Sequence, residues 1–458
     1  MTFLQEVFWV VILLGIMIIV HELGHFSAAR AVGIKVETFS VGFGPRLFGF
    51  RRGDTDYRLS AIPFGGYVRM FGEQPGQLAT AIQGGEEIGD TTENRNQPAD
   101  PRAFFAKPRW QRAIVIIAGP LMNVVLAIAI ITGLYMHAFP KEIEATDPVI
   151  AGIQPDSPAA QAGLEPGDKI VAIANNTDPT WQDVLTTESL NANHAIPVVV
   201  ERYGRRMSFA VAPKMDPKQG VGVAGWEGDG DVQIEQVAKG SPAESSGLQP
   251  GDLLLSVNDQ PIVSLATVQE NVIHAQGKPV RLKVMRKDHT ETISVTPVRG
   301  TDSKLPWKVG VLVGYRVQRV KLVKLGFGSA LAESLRFNQQ NATLIFRVLG
   351  GIAERRVSPK ALAGPIGMAK MSQEAAQQGI PSFLGFMAIV SLNLAIFNLL
   401  PIPILDGGTL LLLIIEMLLQ REVSLQVKET VLKLGFVFLM MIVVFVIYND
   451  ISRIVTSG

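Results

Sequence analysis

The sequence predicts a multi-domain membrane protein with four transmembrane α-helices and two repeated α+β modules outside the bilayer. Three observations carry that prediction. Four apolar stretches are long enough to cross the hydrocarbon core of a membrane. The polar region between the second and third stretches contains one pattern twice, offset by 84 residues. Hydrophobic residues make up 47% of the chain, more than a soluble globular protein carries. Charge and cysteine usage narrow the function. With 42 basic and 41 acidic residues there is no global field to draw in nucleic acid. The chain has no cysteine, which removes thiolate catalysis and disulfide staples and leaves His, Asp and Glu as the metal-binding side chains.

The first span is expected over residues 7–29, apolar apart from His21, Glu22, His25 and Ser27. A signal peptide needs basic residues ahead of its apolar run. Here Glu6 precedes the run while Arg30 and Lys35 follow it, so the span is retained. Residues 30–112 form a basic loop, and residues 113–139 a second span. The positive-inside rule makes that loop cytoplasmic and places the N-terminus and everything after residue 139 outside. Residues 76–100 read as a flexible acidic, Gly-rich insertion with no assigned chemistry.

The repeat lies in the outer region. Ser157-Pro158-Ala159, Gly163-Leu164 and Pro166-Gly167-Asp168 recur as Ser241-Pro242-Ala243, Gly247-Leu248 and Pro250-Gly251-Asp252. Each copy reads as strand, Ser-Pro-Ala turn, short helix, Pro-Gly-Asp turn and strand, giving modules at 145–213 and 226–298. This resembles the PDZ domain in its circularly permuted bacterial form. The resemblance implies modules that take an extended peptide or a C-terminus beside a strand edge, with a spacer role as the plainer reading. Residues 320–377 are amphipathic and expected along the outer membrane surface. The third span is expected at 381–407 and the fourth at 431–450, which returns the C-terminus to the outside.

His21-Glu22-Leu23-Gly24-His25 carries the chemistry. Residues four apart are helical neighbours, so both imidazoles can hold one zinc ion while Glu22 takes a proton from water at the metal. A chance match at this chain's composition is on the order of one in a few hundred. Three ionisable groups inside a span are costly unless they pair or bind a cation; the competing reading is a proton relay. Tetrahedral zinc with two imidazoles and a water needs a third protein ligand. Asp406 offers one, in the segment Asn398-Leu399-Leu400-Pro401-Ile402-Pro403-Ile404-Leu405-Asp406-Gly407-Gly408, whose prolines break the helix at that point. Counted from Glu6, His21 lies about 22 Å along a helix, toward the cytoplasmic half, where Asp406 also falls. Without the histidines, Asp406 would read as a loop residue at the membrane border.

An intramembrane HExxH, an NxxPxPxLDG motif and PDZ-like modules between them together resemble the site-2 protease family, over essentially the whole chain. The resemblance implies that His21, His25 and Asp406 bind Zn2+ and that Glu22 is the catalytic base. It implies substrate-holding roles for Asn398 and Pro401, for Gly42 and Gly44 of a GxG element, and for Tyr67 and Val68 of a membrane-associated re-entrant β-hairpin at about 55–71. Ala118-Gly119-Pro120-Leu121-Met122-Asn123 matches the family's GPxxN, where Asn123 supports the metal site or an interhelical hydrogen bond. Thr409 departs from the histidine of better-known members, and is expected to alter the surroundings of the ligands. The implied activity is hydrolysis of single-span membrane proteins, an anti-sigma factor among them, and of remnant signal peptides. The PDZ pair would act as a size filter, and the setting would be a bacterial inner membrane with both termini and the PDZ pair on the periplasmic side. The lipid bilayer is the other partner, and nucleic acid is not one. The alternatives are a PDZ-bearing scaffold or chaperone without proteolytic activity, and a transporter, for which symmetric halves are missing.

Overall fold

The computed structural model describes residues 3–73, 100–137, 139–142, 148–217, 219–228, 231–262, 264–286, 289–300, 306–316 and 320–457. Apart from residue 100, the insertion expected at 76–100 lies outside them. The chain divides into two compact units. One comprises residues 1–139, 323–346 and 362–458, and the other residues 140–322 and 347–361.

In the first unit, helix α1 (Phe3–Ala31) has no proline to interrupt it and buries Leu13, Met17, His21, His25 and Ala29, a stripe at four-residue spacing. Helix α2 (Arg109–His137) buries Val115, Gly119, Asn123, Ala127 and Ile131 at the same spacing and packs along α1. In a bilayer the surrounding tails are as apolar as these side chains. Close backbone approach at small residues, rather than water exclusion, therefore holds the pair together. A Cβ on Gly24 would overlap the carbonyl oxygen of Ala118, so the two helices touch there by backbone.

Between α1 and α2 run strands β1 (Val36–Arg52) and β2 (Thr55–Met70), one long antiparallel hairpin with Arg52 opposite Thr55 at its tip and Val36 opposite Met70 at its base. Thr38 to Val41 also face Asp56 to Leu59, so the hairpin folds back on itself. Among the described residues, Gly66 to Met70 have no second strand beside them and form an edge. The hairpin expected over 55–71 is thus only the returning half of this sheet; the outgoing strand contains the Gly42-Phe43-Gly44 element. Gly42 has φ 91°, and a Cβ there would stand 2.7 Å from Ile62 O, so glycine lets the strand turn at the fold-back.

The second unit holds the two modules. In the first, strand β3 (Ile150–Ile153) is followed by β4 (Lys169–Ile173), helix α3 (Trp181–Ser189), β5 (Ile196–Arg202), β6 (Arg205–Val211) and β7 (Trp226–Gly228). In the second, β8 (Asp231–Val237), β9 (Leu253–Val257), helix α4 (Leu265–His274), β10 (Val280–Arg286), β11 (His289–Val295) and β12 (Val311–Arg316) repeat that order, with sheet order β11-β10-β9-β8-β12. The offset of 84 extends into the cores. Ile150, Ala159, Leu164, Ile173, Val184, Val198 and Val211 of the first match Ile234, Ala243, Leu248, Val257, Val268, Leu282 and Val295 of the second. In each module a carboxylate only 1% exposed, Asp168 or Asp252, accepts two charge-assisted hydrogen bonds of 2.6–2.7 Å from Arg202 or Arg286. Both modules run further than expected. Trp226–Gly228, assigned from sequence to the second module, pairs with β3 of the first, and the second ends with β12 rather than at 298. The closing strand returns to the module's first strand, a long-range pairing that leaves no local pattern in the sequence.

The stretch 320–377 is not one surface-lying segment. Helix α5 (Phe327–Ala353) buries Ala330, Ser334 and Asn338 on one face, and Ser334 Oγ donates to Ile128 O of α2 at 2.9 Å. At its far end Arg356 donates to Leu190 O and Asn191 Oδ1 of the first module. Helix α6 (Pro365–Gln377) follows, then α7 (Ile380–Leu399), α8 (Asp406–Leu419) and α9 (Leu425–Ser457). The third span, expected over 381–407 with a proline break near Asp406, is helical only as far as Leu399, because Pro401 and Pro403 cannot continue the helix, and Asp406 opens a new one. The helices Leu4–Ala31, Arg109–His137, Ile380–Leu399 and Gln426–Ser452 are long and apolar enough to cross a membrane. The protein is an integral membrane protein.

Candidate metal centre

Helix geometry on α1 brings the two imidazoles together, with His21 Nε2 and His25 Nε2 3.2 Å apart. Asp406, on the first turn of α8, places Oδ2 3.1 Å from His21 Nε2 and 3.6 Å from His25 Nε2. Among the described residues these three form a group able to hold a metal ion. Tetrahedral zinc with ligand bonds of about 2.0–2.1 Å separates its donor atoms by about 3.3 Å, and the three observed edges bracket that value. Asp406 Oδ2 is buried and has no hydrogen-bond donor. A buried carboxylate oxygen without a donor, facing two ring nitrogens, has the chemistry of a cation site. The residues fit zinc.

The outer contacts orient the rings. His25 Nδ1–H donates to Val115 O at 2.8 Å, which leaves Nε2 with its lone pair toward Asp406. Asn123 lies across from His21, with its amide nitrogen 3.3 Å from His21 Nδ1 while its Oδ1 is buried without a partner. Rotating the amide by half a turn lets Oδ1 accept from Nδ1–H, satisfying both groups and freeing His21 Nε2 for a metal. Ser391 Oγ of α7 holds the Asn123 carbonyl at 2.9 Å. Gly119 provides the room: a Cβ there would overlap His25 Nε2 and stand 2.8 Å from His21 Nε2.

Glu22 is half-buried beside the group, and the backbone N–H of Val68, on the outer edge of β2, lies toward its carboxylate. A Cβ on Gly66 would be 3.1 Å from Glu22 Cγ, so the edge strand passes directly over the carboxylate. The hairpin edge and the acid–base residue thus share one place. Tyr67 is buried with its ring stacked 6.2 Å from that of Phe43, between the two glycines of the GxG element. Asn398 is half-buried in the last turn of α7 and Pro401 is exposed beyond it. Thr409 is exposed, and its backbone N–H donates to Leu405 O at 3.2 Å.

Sequence reasoning did not single out Val115, Gly119 or Gly66. Gly119 stood inside the GPxxN motif and could have been found there. Val115 contributes only a carbonyl, which every residue has.

A family model, "Peptidase family M50", matches residues 9–442. A regulator of sigma E protease from Haemophilus influenzae is 32% identical over 99% of this chain and 100% of its own length. The regulator of sigma-E protease of Escherichia coli K12 is 31% identical over 99% of this chain and 100% of its own. A protein of Treponema pallidum that carries a provisional name as a zinc metalloprotease is 32% identical over 96% of this chain and 98% of its own. Among solved structures, a PDZ domain of an SdrC-like protein from Listeria monocytogenes covers 19% of this chain and 90% of its own at 20% identity, with a TM-score of 0.17, too low to carry an argument. With a full-length match to the family model and full-length relatives, the chain belongs to peptidase family M50 and is a zinc metalloprotease.

Proposed function

We propose that this protein hydrolyses a peptide bond within the membrane-spanning segment of a single-span protein, with His21, His25 and Asp406 as zinc ligands and Glu22 as the general base. The observation that carries the reading is the convergence of three donor atoms 3.1–3.6 Å apart beside a carboxylate that already contacts a strand edge. Zinc held there supplies Lewis acidity, which polarises the scissile carbonyl and lets water ionise near neutrality. Glu22 takes the proton from the attacking water and passes it to the departing amide nitrogen. A membrane helix hides its peptide bonds in internal hydrogen bonds, so the bond to be cut must first be unwound. The Gly66 to Met70 edge offers the unwound segment new backbone partners. Asn398, Pro401, Gly42, Gly44, Tyr67 and Val68 are the remaining residues to which substrate contact is assigned.

The matched cores at an offset of 84 support reading the second unit as two PDZ domains, which we assign to the periplasmic side of a bacterial inner membrane as a screen against bulky ectodomains. Relatives named as regulators of sigma E protease support an anti-sigma factor as substrate. The test uses purified protein with a single-span model substrate. Wild type cleaves it, Glu22→Gln keeps zinc without cleaving, and His21→Ala loses zinc. Cleavage that survives Glu22→Gln overturns the assignment.

A further inference from the structure

We propose that the first turn of α2 binds the phosphodiester headgroup of an anionic lipid. Arg109 and Arg112 stand three positions apart and share a helix face. Arg112 is only 5% exposed, yet its Nε has no acceptor, and the Nε of Arg109 is likewise buried without one. Among the described residues neither guanidinium makes an ion pair. The Arg112 guanidinium lies 5.5 Å from the centre of the Phe105 ring, and Lys428 Nζ lies 5.7 Å from the same ring, so further positive charge gathers at one aromatic.

The buried carboxylate nearby is Glu416, 2% exposed, and it is already engaged: Lys428 Nζ approaches at 2.7 Å and Val423 N–H at 3.1 Å. Glu422, the other acidic group whose field reaches Arg112, is exposed to solvent. Lys428 and Arg112 thus share a single buried anion, Arg109 adds like charge beside Arg112, and the positive end of the α2 dipole adds to the same potential. A buried guanidinium without a counter-charge is expensive, so the site calls for an anion.

The position selects the source. Arg109 is the first residue of a membrane-spanning helix, and Trp110, 55% exposed between the two arginines, sits as an aromatic residue does at the level of lipid headgroups. A phosphodiester presents two non-ester oxygens with one negative charge, the shape that a guanidinium fork grips, and a headgroup without an ammonium of its own leaves that charge for the arginines to balance. Lipids present that group at this depth at high local concentration, whereas inorganic phosphate must arrive from water. The proposal is independent of the proteolytic reading.

The experiment compares full-length protein in nanodiscs of phosphatidylcholine alone and of phosphatidylcholine with phosphatidylglycerol, scoring retained lipid by native mass spectrometry. Wild type is expected to retain phosphatidylglycerol in preference. Arg112→Gln should weaken that retention about tenfold or more, with phosphatidylcholine unchanged. Arg109→Gln should act in the same direction, and Glu416→Gln, which removes the competing anion, in the opposite one. These two variants decide the matter if Arg112→Gln does not fold. Equal retention of the two lipids by wild type, or equal retention of phosphatidylglycerol by wild type and both arginine variants, overturns the proposal. Displacement of the lipid by millimolar inorganic phosphate, or by an acidic peptide, in an arginine-dependent way overturns the lipid as occupant.

Discussion

Glu188 should make the first module less stable as pH rises, and Glu188→Gln should remove the effect. Glu188 is 8% exposed, near the C-terminus of α3, where the helix dipole already disfavours negative charge. Burial pushes its carboxyl up from an ordinary 4.5 to about 8, opposed by the Ala224 N–H. The indole N–H of Trp226 faces it, but neither that nitrogen nor Glu188 Oε2 completes a hydrogen bond. Below 4.5 folded and unfolded chains both hold the proton, and the group costs nothing. Between 4.5 and about 8 the unfolded chain has released the proton while the folded chain keeps it, so stability falls with rising pH at about 1.4 kcal/mol per pH unit. The span of that window sets a ceiling near 5 kcal/mol, and about 3–5 kcal/mol is the expected range. Glutamine has the same shape and no such titration. The assay is amide hydrogen exchange of buried β5 residues such as Val198 and Val200, comparing wild type and Glu188→Gln at matched pH in detergent, because local opening is well defined in a multi-domain chain where a global midpoint is not. At pH near 4.5 the two should agree; above pH 8 the variant should be protected by several kcal/mol more. A variant less protected than wild type above pH 8 would show that the ionised carboxylate is anchored by Ala224, and would refute the reasoning.

Three further outcomes are expected. Gly119→Ala puts a methyl group where His25 Nε2 lies, so zinc content should drop and cleavage should fall about 100-fold or more, the usual consequence of displacing reacting groups by about 1 Å; unchanged zinc stoichiometry would contradict it. Asn123→Ala removes the partner of His21 Nδ1 and should weaken zinc binding about 10- to 100-fold in competition with a chelator, while the spans remain folded. Asp450→Ala leaves the backbone N–H groups of Gly364, Ile366 and Gly367 without their acceptor; fraying of the α6 start, seen as faster amide exchange there, should accompany a loss of about 2–4 kcal/mol in local stability.

What could be read in the sequence was whatever rests on side-chain identity at short range. Hydropathy marks the spans because a helix alone satisfies its backbone in lipid. The spacing of His21 and His25 marks one helix face, and the Ser-Pro-Ala repeat marks a local cap, with Ser157 Oγ and Ser241 Oγ accepting from Ala160 N and Glu244 N. Long-range backbone pairing was illegible. The closure of the first module by Trp226–Gly228, the fold-back of β1 upon β2, and the Val115 carbonyl under His25 are made by groups that carry no residue signature. The break after Leu399 lay in between: Pro401 and Pro403 were visible, but that Asp406 heads a separate helix follows from how Gly407 and Gly408 pack, where added Cβ atoms would overlap Leu400 O and Ile402 O.

That separate helix has a consequence for how the protein is made. His21 and His25 leave the ribosome with the first span, but their partner carboxylate is residue 406 of 458. No arrangement of the first 405 residues can assemble the three donors. A truncated or stalled nascent chain is therefore chemically silent, and a cell synthesising this protease in its own membrane is shielded from it until the last helices have been inserted and α8 has met α1.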